Sequence, residues 1–205
     1  MYSPSGGSLG FLIASHCRDP GDWQKLVFQP YFNWFANDNN YAGYTVDNGT
    51  NDAYEELNKT KPDATVWWVL NRGVSYWVPT SMCGWRESWS KVIGYFKDEE
   101  LENSTGAWKI GFSTGCTGSD NALVKKTQSN YYSGKVFMVE YNELKAEPGD
   151  SGGLVFRAGC NGGECGVLAM GIIIGAIPPG GPYYYTLFQS VENATNYYGV
   201  VVYDR

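Results

Sequence analysis

The most constraining stretch of this 205-residue chain is Ala146-Glu147-Pro148-Gly149-Asp150-Ser151-Gly152-Gly153. Glycine loses more backbone entropy on folding than any other residue, so three glycines around one serine are costly. They are worth it where φ > 0 is needed or where another molecule must approach the main chain. Nucleophilic catalysis needs both: an exposed hydroxyl, and N–H groups free to point at an oxyanion. The stretch therefore predicts Ser151 as a nucleophile, with the N–H groups of Gly149 and Ser151 as oxyanion donors. Asp150 is expected to turn inward, a buried carboxylate that needs a partner.

A serine needs a base, and the chain has one histidine, His16. It follows an apolar, strand-like run in Gly10-Phe11-Leu12-Ile13-Ala14-Ser15-His16-Cys17. Together these two stretches resemble the chymotrypsin-fold serine peptidases of the streptogrisin and alpha-lytic protease branch. Ala146 to Gly153 is similar to that branch's AEPGDSGG, and Phe11 to Cys17 to its FLTAGHC, with Ile13 and Ser15 substituted. Phe188-Gln189-Ser190-Val191 and Tyr198 to Tyr203 are similar to its FQPV and YGVSVY ends. The anchors span residue 9 to residue 203, with a loosely matching middle.

The resemblance implies an all-β fold of two antiparallel six-stranded β-barrels and a short C-terminal helix. It implies a single peptidase domain over residues 1–205, with the first barrel and inter-barrel segment in 1–105 and the second barrel and helix in 106–205. Two strands that open the first barrel in that branch have no counterpart before Leu9, so an N-terminally truncated first barrel is expected. Composition agrees with this fold class. Aromatics at 16%, 26 glycines and only 18% charged residues suit short strands joined by glycine-rich turns, and argue against disorder.

The third member of a Ser-His-Asp triad would accept the other imidazole N–H, fix the tautomer and stabilise the imidazolium. Asp63 is the choice, in Lys61-Pro62-Asp63-Ala64-Thr65-Val66-Trp67-Trp68-Val69-Leu70, because a carboxylate there opens a β-prone run. The rival is Asp52, but Glu55-Glu56 after it cannot continue a buried strand. Gly149 to Gly153 also fits the G-x-S-x-G elbow of α/β-hydrolases. Those require a histidine after the serine, and none follows residue 16.

The mechanism so implied is acyl transfer by His16, Asp63 and Ser151 with no metal and no organic cofactor. The resemblance places substrate contacts at Glu147, on the rim, and at Ile174, Gly175 and Ala176, on a strand that pairs with the peptide main chain. An apolar pocket is favoured. Two residues depart from the branch: Lys145 replaces a cysteine that staples the pocket wall, and Ile174 replaces a serine that helps hold the triad aspartate.

Along the chain, strands are expected at Leu9–Ala14, near Lys25–Phe28, in the run ending at Leu70, and at Trp108–Gly115. More are expected at Lys135–Tyr141, Leu154–Phe156 and Val167–Gly175. Residues 18–62 otherwise read as polar and turn-rich, with a short helical turn at Asp52–Leu57. Residues 71–106 read as a linker-like middle, in which Trp77, Trp85 and Trp89 pack and Asp98–Glu102 is a solvated face. A helix at about Ser190–Tyr197 has Ser190 as its N-cap.

The five cysteines suggest Cys160–Cys165 across a hairpin loop and Cys83–Cys116 across the middle, leaving Cys17 over. Sequons begin at Asn48, Asn58, Asn103 and Asn193. Both features point to secretion, yet Met1-Tyr2-Ser3-Pro4 does not read as a signal peptide, so the sequence is expected to lack its true beginning. A net charge of −6 without a basic cluster speaks against nucleic acid, and the apolar runs are too short for a transmembrane helix. The expected protein is a secreted, monomeric serine endopeptidase acting on protein or peptide substrates. The alternative is a catalytically impaired relative that uses the same fold as a secreted binding module.

Overall fold

The computed structural model describes residues 10–14, 26–28, 41–45, 65–69, 77–127, 136–177 and 185–202. Among these, four strands form one antiparallel sheet: β1 (Gly10–Ile13), β2 (Leu26–Phe28), β3 (Tyr41–Thr45) and β4 (Thr65–Val69), in the order β1-β4-β3-β2. The β-prone run expected before Leu70 is β4, and it pairs on both sides. Its register against β1 runs from Gly10↔Trp68 to Ile13↔Thr65. The end of β1 and the start of β4 therefore lie at the same edge of the sheet. β3 was not anticipated, because Tyr41-Ala42-Gly43-Tyr44-Thr45 lacks the apolar alternation that marks a strand. The helical turn expected at Asp52–Leu57 lies outside the described residues.

The second sheet contains β7 (Thr105–Gly111), β8 (Gly115–Leu123), β9 (Lys125–Lys126), β10 (Val136–Glu140), β11 (Leu154–Asn161), β12 (Glu164–Ile177) and β13 (Tyr185–Ser190). They run in the order β8-β7-β11-β12-β13-β10-β9. Only Val124 separates β8 from β9, and its N–H and C=O still bond to Ser104 and Asn103. The two ends of the path are thus one bent ribbon, and six strands return on themselves as a closed barrel. Inside it lie Ala107, Ala122, Val124, Phe137, Val139, Val155, Met170, Ile173 and Phe188. The stacked rings of Phe137 and Phe188 are 5.8 Å apart.

Residues 77–104 are more ordered than a linker. β5 (Trp77–Val78) pairs with β6 (Ser90–Tyr95), and β6 adds in parallel to β12 at Val167↔Val92 and Ala169↔Tyr95. The reason is apolar cover. Trp85 packs edge-on against Trp108 and Phe156, each at 5.6 Å, whereas Trp89 is 55% exposed. The acidic stretch forms a one-turn α1 (Asp98–Leu101), which buries Leu101 and leaves Glu99, Glu100 and Glu102 in solvent.

Two disulfides join Cys83 to Cys116 and Cys160 to Cys165, the two pairs expected, and Cys17 lies outside the described residues. The C-terminal helix α2 (Val191–Tyr198) starts where its cap predicts. Ser190 Oγ accepts the Asn193 N–H at 3.0 Å, and Gly199 ends the helix with a left-handed φ of 61°.

A cluster of Leu12, Ala14, Val136, Met138, Ile172, Ile174, Leu187 and Ala194 joins the two sheets. Ala14, at the end of β1, is fully buried in it. The first sheet is thereby seated against the C-terminal half of β12.

Candidate active site

The loop from Ala146 to Gly153 precedes β11 and is built around Asp150. That side chain is fully buried, as is its ion-pair partner Lys109, with Nζ 2.9 Å from Oδ2. Oδ1 accepts the N–H groups of Ser113 at 2.8 Å and Thr114 at 3.0 Å. Oδ2 also accepts the Thr114 hydroxyl at 2.7 Å and the Glu147 N–H at 3.0 Å. Burial by itself would raise the Asp150 pKa. Hydrogen bonds from Thr114, Lys109 and the Glu147 and Thr114 backbone outweigh it and hold the group at about 2. Burial lowers the Lys109 pKa against the pull of Asp150.

Linkage fixes the sign of the pH effect. A carboxyl whose folded pKa falls from 3.8 to about 2 contributes stability above pH 3.8, and loses it as the pH falls through 2. That contribution is about 2 kcal/mol. Urea midpoints measured between pH 5 and pH 2 are expected to fall steeply in the wild type and less steeply in Asp150→Asn.

The Asp150 N–H donates to Glu147 O at 2.9 Å, with Pro148 second in the turn and Gly149 third at φ 98°. This is the residue and φ pattern of a type II turn. A Cβ on Gly149 would stand 2.3 Å from Ser113 Oγ, so glycine is favoured here by conformation, and any side chain would displace the Ser113 hydroxyl. The Gly149 N–H has no hydrogen-bond partner among the described residues, as an oxyanion donor requires. Gly149→Ala is expected to lower the stability of the fold by about 1–3 kcal/mol, because an L side chain is strained at that φ, and urea midpoints would measure it.

Ser151 is partly exposed. Beyond it, Gly152 N–H donates to Ile173 O at 2.8 Å, and Ile173 N–H donates to Gly153 O at 2.9 Å. The Ser151 loop is thereby stitched to β12. β12 also pairs with β13, with a bulge at Ile174. On its other edge, residues 174–176 pair with no strand among the described residues. Ala176 is exposed there, Gly175 is half-buried, and the Ile174 side chain is 9% exposed in the cluster with Ala14. Glu147 sits at the loop rim, where its Oε1 takes the Lys145 ammonium at 2.7 Å and the Tyr141 hydroxyl at 3.2 Å. Those two contacts lower the Glu147 pKa.

The structure thus holds Glu147, Gly149 and Ser151 on one loop, which Gly152 and Gly153 bond to Ile173, the residue before the 174–176 edge. His16, Asp63 and Asp52 lie outside the described residues. Ala14, two positions before His16, shares the Ile172–Ile174 neighbourhood to which Gly152 is bonded.

Sequence reading did not find Lys109, Ser113 and Thr114. One signal was present. In β7 the two-residue period puts Lys109 on the inward face with Ala107, and a lysine inside a barrel requires an acid.

This arrangement defines a streptogrisin-like chymotrypsin fold, as comparison with solved structures bears out. Thermobifida fusca protease A matches with a TM-score of 0.58 and 19% identity, over 98% of this chain and 88% of that one. Nocardiopsis protease gives 0.62 and 18%, over 97% and 86%, and Cellulomonas bogoriensis chymotrypsin 0.55 and 17%, over 100% and 89%. At these identities the likeness is one of fold. A scan of protein-family models and a search of curated proteins find no match.

Proposed function

We propose that this protein is a serine endopeptidase that cleaves protein or peptide substrates through an acyl-enzyme. The observation that carries the reading is the loop around Ser151. Its buried Asp150–Lys109 pair fixes a turn whose Gly149 N–H is left for a ligand oxygen. His16 takes the Ser151 proton as the oxygen attacks the carbonyl, and the Gly149 and Ser151 N–H groups hold the oxyanion. His16 then protonates the leaving amine, and water repeats the sequence to release the acid.

Register supports Asp63 as the acid that orients His16. Ile13 lies opposite Thr65, and in sequence His16 is three positions past the one and Asp63 two before the other. The open edge of β12 at 174–176 serves the substrate main chain, beside Glu147 on the rim, and the apolar Ile174 and Ala176 favour an apolar residue at the cleaved bond.

The two disulfides and the exposed sequon at Asn103 support secretion. Asn103 sits in an exposed turn at φ 66°. Asn193 is instead held inside α2 by Gln189, with Thr195 buried. Asn48 and Asn58 lie outside the described residues.

A second reading, a non-catalytic binding module on the same fold, is favoured by Ile174, whose apolar side chain offers a triad aspartate no hydrogen bond. Peptide nitroanilides separate the two. Hydrolysis lost in Ser151→Ala upholds the peptidase, and peptide binding without turnover upholds the module.

A further inference from the structure

Gly149 poses a problem that its own residue type creates. A glycine after proline leaves the Pro148–Gly149 peptide free to turn over. In one orientation its N–H faces the reacting carbonyl, and in the other its C=O does. The second orientation would set one oxygen dipole against a developing oxyanion and disable the site.

We propose that Ser113 is a positioning residue that holds this peptide in its catalytic orientation. Its Oγ donates to the Pro148 carbonyl at 2.5 Å. In a trans peptide C=O and N–H point in opposite directions, so fixing the Pro148 oxygen toward Ser113 directs the Gly149 N–H away from it. Strand order gives that direction meaning. β11 lies between β7 and β12, so the loop that leads into β11 has the β7–β8 turn on one side and residues 172–174 on the other. The Pro148 oxygen faces the turn, so the Gly149 N–H points away from the turn, and on the far side of the loop Gly152 bonds to Ile173.

Ser113 is itself well fixed. Its N–H donates to the buried Asp150 at 2.8 Å, and Asp150 is held by Lys109 and Thr114. The buried ion pair thus controls the oxyanion donor through two routes. The turn closed by the Asp150 N–H is one, and the Ser113 hydroxyl on the peptide plane is the other. The hydroxyl is at the surface, so its loss leaves no buried group unpaired and spares the fold.

This inference rests on the peptidase reading. The test uses the whole chain and a peptidyl trifluoromethyl ketone, to whose carbonyl carbon Ser151 Oγ adds while His16 takes the proton. Ser113→Ala is expected to lower kcat for a peptide nitroanilide about five- to tenfold with KM unchanged. It is also expected to weaken the ketone by a similar factor and to raise the hemiketal pKa, read by 13C NMR, by close to one unit. Ser113→Thr keeps the hydroxyl and is expected to restore all three. An unmoved hemiketal pKa in Ser113→Ala, or a threonine variant as impaired as the alanine, overturns the role of Ser113. A wild type that forms no hemiketal overturns the peptidase reading beneath it.

Discussion

Lys109→Met is expected to lower the stability of the fold by about 3–5 kcal/mol, because it strands a buried carboxylate without its cation. Asp150 is fully buried, and its oxygens accept five hydrogen bonds, of which the Lys109 contact alone comes from a charged donor. The remaining donors keep the acid solvated in part, so the variant's carboxyl pKa rises and its acid sensitivity moves to higher pH. Adding Asp150→Asn to Lys109→Met removes the stranded charge and is expected to recover part of the loss, as a double-mutant cycle would show. Urea midpoints at pH 7 give all four values. A single variant within about 0.5 kcal/mol of the wild type would show that the pair does not anchor the loop.

Asp63→Asn is expected to lower kcat about 10⁴-fold, since an amide there holds His16 in the wrong tautomer and cannot stabilise its cation. Asp52→Asn is expected to stay close to the wild type. The reason is topological. Ile13, three positions before His16, lies opposite Thr65, two positions after Asp63, whereas Asp52 precedes the start of β4 by thirteen positions. The reverse ranking of the two variants would move the triad acid to Asp52. Comparing kcat with KM separates this loss of chemistry from a loss of binding.

Much of this was legible in the sequence, and the pattern of what was not is physical. The strands at 136–140, 154–161 and 164–177, the serine cap of α2 and the Cys160–Cys165 disulfide follow from β-prone runs, capping chemistry and close spacing, whereas no local pattern fixes the Cys83–Cys116 pair. The inward turn of Asp150 followed from a carboxylate set among glycines. Its partner required a contact across 41 positions, which local pattern does not report. The parallel pairing of β6 with β12 was hidden for the same reason, because Ser90–Tyr95 looks like any amphipathic run until a free edge is available to receive it. Ser113 was invisible because the matter it settles, the orientation of one peptide plane, exists only in the folded loop.

The most direct test of the central claim is reaction of the folded chain with a fluorophosphonate, read by intact mass and peptide mapping. The account predicts one adduct per chain, on Ser151, absent from Ser151→Ala and formed about a thousandfold more slowly in His16→Ala. A folded protein that takes up no label, or one whose label persists in Ser151→Ala, would contradict it.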